Sequence, residues 1–505
     1  MIFLTRPSHA LILASCTVVS LASLPEISAQ VLVSPAFKAE QAEDKSSDKK
    51  TGPVATQLSI HAAGPSDPLF RYRLWPAVEK RRNISVNDIV SRAIIHTIQA
   101  SNSDSPHPSE KFIEWESLPL DEVPIESVKE AIRPFGFALA ELQRGEVLMK
   151  NDYDIQLDEL SPRELIGTLL PELQQMRLLS RVLCLRARIA AAEHRWDNMV
   201  DDCRLGFRLA EIAATSNDFL ISRLVGQAIA RRTMQVIEDT VTQTDVPNLY
   251  WALASVPAKK LFETRESIEF ESVLVSRILK SASELPDTPI GENLARKKLL
   301  ELIETLTGLS DFLDSEASTK QLMAGTFIVA IAENSREILA STDRWRDRVD
   351  KLSDSEAVLR ATVLEANRMR DTWLAWSLLP DYSWDQYSKE RNAVFDEPGD
   401  SVNPATMLIL QLTPSLDSAH KSGLRSMQQY NFLLTLEALR MHAAEAGELP
   451  KSIDALRPVP AWRDSLTQTN FGYQRTKPNS ATITRHPRFK GDTETTFEIK
   501  LNDKP

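Results

Sequence analysis

Residues 172–214 read ELQQMRLLSRVLCLRARIAAAEHRWDNMVDDCRLGFRLAEIAA. Leucine and alanine recur every three or four residues on both sides of a short polar stretch, His194–Asp197, which predicts two amphipathic helices separated by a tight turn. Helices joined by so short a connection pack as antiparallel neighbours. The stretch therefore predicts a helical hairpin, and similar helical patterns recur along much of the chain.

The glycine content supports a helical interpretation. Fifteen of the 505 residues are glycine, about 3%, whereas roughly 7% is usual. Phosphate-binding loops, nucleophile elbows and tight β-hairpins all need glycine for positive φ or close backbone approach. We therefore predict a mainly α fold, with an array of helical hairpins over residues 67–400. Residues 401–505 are predicted to add a small α+β segment, a long helix followed by short antiparallel strands.

The N-terminus has the features of an export signal. Residues 1–29 combine a basic start at Arg6, an apolar run Ala10–Leu24 and small residues ending at Ala29, which predicts a signal peptide. The run is too short to cross a bilayer core of roughly 30 Å comfortably. A retained membrane anchor is one alternative, and a lipid anchor at Cys16, which ends a lipobox-like stretch, is another. The prediction is an exported, periplasmic or extracellular protein whose mature chain has no membrane span.

The segment after the signal peptide is predicted to be a linker. Residues 30–66 include the mixed-charge run Glu40–Lys50 and end near Gly64–Ser66, so a disordered linker is expected over 30–66. The net charge of the whole chain is −11, and no basic stretch stands out in the sequence. This charge balance argues against a nucleic-acid partner.

Two cysteines remain once residues 1–29 are removed. Cys184 precedes the predicted turn and Cys203 follows it by a similar number of residues. At the α-helical rise per residue, their positions along the axes of the two antiparallel helices differ by roughly 4–5 Å. In an oxidising compartment they could form a disulfide bond. The alternative is that both are small buried hydrophobic residues with free thiols.

The chain lacks the sequence motifs of common catalytic and metal sites. None of HExxH, GxSxG, GxxxxGK[ST] or paired CxxC occurs, so no catalytic, metal-binding or cofactor-binding residues are predicted. The densest group of aromatic residues comprises Trp373, Trp376, Tyr382 and Trp384. In an exported protein such a group could contact a sugar or a peptide. The alternative is a layer of the hydrophobic core.

One stretch near the C-terminus resembles a known type of protein. Residues 433–456 read LLTLEALRMHAAEAGELPKSIDAL, and Asp464 and Phe471–Tyr473 follow. This is similar to the end of a pseudopilin, where a long helix stops at a Gly-x-x-Pro turn and an Asp-containing loop leads into a sheet. Together with Phe70–Pro76 and Pro247–Leu253, it makes residues 67–480 resemble a family of uncharacterised exported helical proteins common in planctomycete bacteria.

The resemblance implies no known activity. A true pseudopilin carries its transmembrane helix at the N-terminus, whereas the similar segment here lies at the C-terminus. We therefore expect a non-catalytic binding or scaffolding protein of the cell envelope, whose partner is an unknown protein or an envelope polymer. Two alternatives stay open. One is an extracellular hydrolase with unidentified carboxylates, and the other is an accessory of a pilus-like secretion system.

Overall fold

The computed structural model describes residues 54–102, 109–151, 162–308, 331–380, 383–387, 390, 413–465, 467–487, 489 and 495–502. The protein is mainly helical with a small C-terminal sheet, which confirms the predicted fold class. The chain divides into two compact units. The larger unit takes in residues 50–274, 371–393 and 418–505, and the smaller one takes in residues 275–370 and 394–417.

Helices account for most of the described chain. In chain order they are α1 (Asn87–Ser101), α2 (Ser109–Ser117), α3 (Ile125–Ile132), α4 (Gly136–Gly145), α5 (Pro162–Ala192), α6 (Trp196–Thr215), α7 (Leu220–Thr240), α8 (Tyr250–Ala254), α9 (Ala258–Phe262), α10 (Arg265–Ile278), α11 (Lys280–Ser283), α12 (Glu292–Gly308), α13 (Asp354–Ser377), α14 (Ser383–Gln386) and α15 (Thr413–Ala446). The strands are β1 (Val54–His61), β2 (Arg82–Ser85), β3 (Leu148–Lys150), β4 (Gly472–Lys477), β5 (Ser480–Arg485) and β6 (Thr495–Asn502). Among the described helices, none is both long and apolar enough to cross a bilayer.

The predicted hairpin is present as helices α5 and α6. The turn between them closes at His194, whose φ is +55°, and α6 begins at Trp196. Helix α7 packs in turn against α6, and the crossing is close at Gly226. A Cβ atom there would lie 2.5 Å from the Cβ of Ala214 and 2.6 Å from the carbonyl oxygen of Ala210, so only glycine fits.

A four-stranded sheet packs against the long helix α15. The strand order is β1-β6-β5-β4, with β1 parallel to β6 and the other neighbours antiparallel. Along β6, Phe497, Ile499 and Leu501 are buried and alternate with polar residues, as expected of a strand with one covered face. Phe432 of α15 contacts this face, with its ring centroid 4.7 Å from that of Phe497.

Strand β1 corrects the linker prediction for residues 30–66. Leu58 and Ile60 are buried, and β1 pairs with β6 along its whole length. Backbone hydrogen bonds and core side chains hold this stretch in place, so it is not a free linker. Residues 30–53 lie outside the described residues, as do the predicted signal peptide 1–29 and Cys16 within it.

The predicted boundary between residues 400 and 401 lies outside the described residues. Helix α15 contributes Leu433, Leu436 and Leu439 to the same core as α5–α7, and all three are fully buried. Residues 275–370, which lie inside the predicted 67–400 domain, belong to the smaller unit. The physical reason is that an amphipathic face packs on the nearest apolar surface, which need not be adjacent in sequence. The predicted end of the long helix is confirmed, since α15 stops at Ala446 and Gly447 has φ +73°.

The smaller unit has its own small core around Trp345. Leu339, Val349, Leu352 and Ala357 are buried together with this ring. Outside that core, the carboxylate of Glu356 is fully buried, pairs with Arg360 at 2.8 Å and accepts hydrogen bonds from the Ile290 backbone N–H at 3.1 Å.

The structure does not contain the disulfide that Cys184 and Cys203 could form. Both thiols are free and buried, and the Sγ atom of Cys203 lies 3.7 Å from the Sδ atom of Met199. Burial raises the pKa of Cys184 to about 12 and that of Cys203 well above its ordinary value, so both stay protonated. They pack as small hydrophobic residues, which is the alternative that the sequence left open.

His61, the last residue of β1, joins the sheet to the helical core. Its carbonyl oxygen accepts a 3.0 Å hydrogen bond from Nε of the buried Arg440, and its ring Nε2 lies 3.2 Å from the side-chain nitrogen of Asn502. Burial, and secondly the charge of Arg440, lower the pKa of His61 below its ordinary value of about 6.5. Protonation therefore costs more in the folded chain than in the unfolded one.

We expect His61 to make folding pH-dependent. Because its folded pKa is lowered, its contribution to stability is present above about pH 6.5 and is lost as the pH falls towards the folded pKa. Urea unfolding of wild type and His61→Gln, at pH values above and below this window, should show a shallower pH dependence in the variant. His96→Gln, at a half-buried position of α1, serves as the control. An unchanged pH dependence in His61→Gln would contradict the prediction.

Candidate functional site

A cleft of about 320 Å³ lies within the larger unit. Three segments that are far apart in sequence line it, namely residues 262–265, residues 377–380 and the positions His420 and Leu424 of α15. Five of the ten residues that line the cleft are apolar, and the other five are polar or charged. Small-molecule and peptide sites combine apolar contacts with placed polar groups.

The first wall is the connection between α9 and α10. Helix α9 ends at Phe262, after which Glu263 has extended backbone angles. The carbonyl oxygen of Thr264 then accepts a hydrogen bond from the Ile268 N–H and so begins α10. The carbonyl oxygen of Phe262 accepts a 3.2 Å hydrogen bond from the side chain of Gln227, which fixes this wall to α7.

The second wall is the C-terminal end of α13. The backbone N–H groups of Leu378 and Leu379 bond to carbonyls three residues earlier, at 3.3 and 3.2 Å, and tighten the last turn. Pro380 has no N–H to donate, so the helix cannot continue through it. The side chains of Leu378 and Leu379 remain 49% and 42% exposed, and they form an apolar rim beside the cleft.

The third wall depends on a glycine in the middle of α15. A Cβ atom at Gly423 would lie 2.3 Å from the carbonyl oxygen of Phe262, a distance that no side chain tolerates. Glycine lets the two helices approach closely enough for His420 and Leu424 to line the cleft. Gly423 is not part of any site that the sequence predicts. The available signal was a glycine inside a long helix in a chain that has few glycines.

The polar groups at the base of the cleft hold its walls together. Thr264 Oγ1 and His420 Nδ1 lie 3.1 Å apart, and both residues are almost fully buried. The ring of Trp384 covers the imidazole, with centroids 4.0 Å apart. This hydroxyl–imidazole pair therefore connects α15 to the first wall at the base of the cleft. At the surface, Arg265 is half exposed and pairs with Glu269 at 3.2 Å.

The structure places the predicted aromatic residues at and behind the second wall. Trp373 and Trp384 pack together with ring centroids 5.7 Å apart and are only 5% and 4% exposed, which favours the core interpretation for these two. Trp376 is half buried, and its ring contacts that of Tyr387 at 6.1 Å. Tyr382 lies outside the described residues. Ligand contact through Trp376 stays a prediction.

Other buried carboxylates of the larger unit have structural partners. Glu271 accepts a hydrogen bond from the Leu220 N–H at 3.1 Å, and Glu238 accepts one from Gln429 at 3.3 Å. Burial raises the pKa of both carboxyl groups. Within the part of the chain that the structure describes, no three His, Cys, Asp or Glu side chains gather closely enough to hold a metal ion.

No protein-family model, no curated protein and no solved structure matches this chain.

Proposed function

We propose that the protein is an exported, non-catalytic binding or scaffolding protein of the cell envelope. Its cleft would hold a segment of a partner protein or of an envelope polymer. The observation that carries the proposal is the cleft itself, where exposed Leu378 and Leu379 adjoin polar groups of the first wall. Apolar contact at such a rim provides affinity, and neighbouring hydrogen-bonding groups orient the ligand.

The lining favours binding over hydrolysis. Hydrolases that cleave polysaccharides commonly place two carboxyl groups on opposite sides of the bond. Among the described residues that line the cleft, Glu263 is the one carboxylate. The Thr264 side chain is almost fully buried and its hydroxyl lies 3.1 Å from His420 Nδ1, which favours a structural role for this pair.

The binding proposal is testable by removing the apolar rim. Leu378→Ser/Leu379→Ser should leave the unliganded fold within about 0.5 kcal/mol of wild type, because both side chains are largely exposed. Soluble fragments of envelope polymers and purified envelope proteins would be screened for a rise in melting temperature. A ligand present at 100 times its Kd stabilises wild type by about 2.7 kcal/mol, and the rim variant should lose most of this gain.

A matched control removes apolar surface away from the cleft. Val273→Ser/Leu294→Ser changes two side chains of similar exposure, 44% and 45%, and should keep the ligand-induced rise. Products released from a polymer in the same samples would contradict the non-catalytic proposal. Equal ligand gains in wild type and the rim variant would contradict the assignment of the cleft.

Export is tested separately at the N-terminus. Expression with native export machinery followed by mass spectrometry should give a chain that begins at Gln30 and lies outside the cytoplasm. A lipidated chain beginning at Cys16 would support the lipid-anchored alternative, and an uncleaved cytoplasmic chain would contradict export.

A further inference from the structure

A short basic and apolar segment covers one part of the surface of the larger unit. Residues 69–84, which we call the basic segment, read LFRYRLWPAVEKRRNI and contain five basic side chains and one acidic one. The chain as a whole has a net charge of −11. The first part of this segment alternates apolar and basic residues and includes Phe70–Pro76, which also contributes to the family resemblance.

The middle of the basic segment is anchored in the core. Leu74 and Trp75 are 0% and 6% exposed, and the guanidinium of Arg208 stacks on the Trp75 ring at 5.3 Å. Residues 69–71 and 78–84, on the two sides of this anchor, are exposed, whereas Tyr72 and Arg73 are half-buried. The segment is therefore a fixed surface feature, since its centre cannot move away from the core without exposing a tryptophan.

Backbone contacts bring the two exposed halves to the same part of the surface. The carbonyl oxygen of Arg73 accepts a 3.3 Å hydrogen bond from Arg204, which in turn pairs with Glu146. The backbone N–H of Arg82 donates a 2.8 Å hydrogen bond to the carbonyl oxygen of Val147, the next residue. The Arg82 backbone thus lies beside Val147, and the Arg73 backbone lies beside the Arg204 side chain that pairs with Glu146, so the two halves of the basic segment lie in the same region of the unit.

Exposed apolar side chains occur in both halves. Phe70 is 46% exposed, Val78 is 72% exposed and Ile84 is 57% exposed. Single exposed apolar residues are common on protein surfaces, but several within one short anchored segment indicate an interaction site.

The cations of the basic segment are mostly not neutralised. Among the described residues, no carboxylate forms an ion pair with Arg73, Lys80, Arg81 or Arg82. Arg81 donates to the carbonyl oxygen of Pro76 at 2.9 Å, and Arg82 donates to that of Glu79 at 3.2 Å, so both guanidinium groups bond to neutral acceptors. Within the segment, Arg71 does have an acidic partner, Asp197, at 3.2 Å.

We propose that the basic segment docks the protein onto the surface of a bilayer that contains anionic lipids. Lysine and arginine near a membrane are attracted by the negative surface potential of such lipids. Exposed aliphatic side chains such as Val78 and Ile84 can enter the boundary between head groups and acyl chains. Valine is under-represented among the residues that dominate protein–protein interfaces, which favours a lipid surface over an acidic protein partner.

The experiment measures binding of the full chain to vesicles by flotation. Vesicles of phosphatidylglycerol mixed with phosphatidylcholine should bind more tightly than vesicles of phosphatidylcholine alone, and added salt should weaken the binding. Each cation near an anionic membrane contributes roughly fivefold in affinity. Arg73→Gln/Lys80→Gln/Arg82→Gln should therefore bind the anionic vesicles roughly a hundredfold more weakly.

Two further variants separate this proposal from general charge effects. Lys259→Gln/Lys451→Gln/Lys500→Gln removes the same charge from exposed positions elsewhere and should bind as wild type does. Val78→Ser/Ile84→Thr keeps every charge and should weaken vesicle binding roughly tenfold, because less apolar area is buried.

Three results would overturn the proposal. The first is equal binding of wild type to anionic and neutral vesicles. The second is equal loss of binding in the two triple variants. The third uses poly-glutamate, a soluble polyanion. If wild type binds poly-glutamate as tightly as it binds the anionic vesicles, and Val78→Ser/Ile84→Thr does not weaken vesicle binding, the partner is an acidic chain.

Discussion

Replacing Arg440 by leucine should lower the free energy of unfolding of the larger unit by about 3–5 kcal/mol. Arg440 is fully buried in α15, and its guanidinium pairs with the equally buried carboxylate of Glu437 at 2.9 Å. Burial raises the pKa of Glu437, and the nearby Arg440 charge opposes that rise. Without Arg440, the carboxyl group would remain in the core with no opposite charge.

The pair also connects segments that are distant in sequence. Besides its bond to His61, Arg440 donates to the carbonyl oxygen of Val246 at 2.8 Å, and Glu437 accepts from the Leu249 N–H at 3.1 Å. A leucine at position 440 would leave buried carbonyl groups without donors, which adds to the cost. The strand β1, the 246–249 stretch and α15 would all lose their shared contact.

Urea unfolding followed by circular dichroism measures the loss. The control is Arg265→Leu, because Arg265 and Glu269 form a half-exposed pair whose removal costs less than about 1 kcal/mol. The loss of unfolding free energy in Arg440→Leu should become smaller as the pH is lowered. Without Arg440, the pKa of the buried Glu437 is raised further, so its carboxyl group becomes protonated and no longer carries an unpaired charge. A loss equal to that of the control would contradict a structural role for the buried pair.

Replacing Phe432 by alanine should cost about 3–5 kcal/mol, the usual cost of deleting a buried phenylalanine ring. Phe432 is fully buried on α15, and its ring contacts Phe497 of β6 and Phe471, at centroid distances of 4.7 and 5.6 Å. The ring thus fills the space between helix and sheet, and its removal leaves a cavity that the rigid sheet cannot close. The same urea experiment measures the effect.

Phe137→Ala is the matched control for the cavity. The Phe137 side chain is 76% exposed, so its removal should change stability by less than about 0.5 kcal/mol. Hydrogen exchange adds a local test, because the amides of β5 and β6 should exchange faster in Phe432→Ala than in wild type. Unchanged exchange in these strands would show that the sheet does not depend on Phe432.

Local signals in the sequence predicted much of the helical structure. Leucine and alanine at helical spacing predicted the α5–α6 hairpin, and Gly447 followed by Pro450 predicted where α15 ends. The short strands predicted after the long helix include β6, in which buried apolar and exposed polar residues alternate. Each of these signals lies within a few residues of the feature that it predicts, because helix and strand periodicity and capping are local.

The candidate site could not be predicted in the same way. The aromatic residues gave a signal near the second wall, but their burial differs, and only the fold shows that Trp384 covers His420. Gly423 matters because the carbonyl oxygen of Phe262 is 2.3 Å from the place where a Cβ would be. The residues next to Gly423 in sequence do not predict that contact.

By itself, the sequence determined the helical class of the protein, its main hairpin and the end of its long helix, since these follow from local periodicity and composition. Only the tertiary structure decided that β1 pairs with β6, more than four hundred residues later in the chain, and that Cys184 and Cys203 stay unpaired. It also decided that α15 shares a core with α5–α7. The physical reason is that burial and long-range pairing depend on which surfaces meet, and a residue's neighbours in sequence do not carry that information.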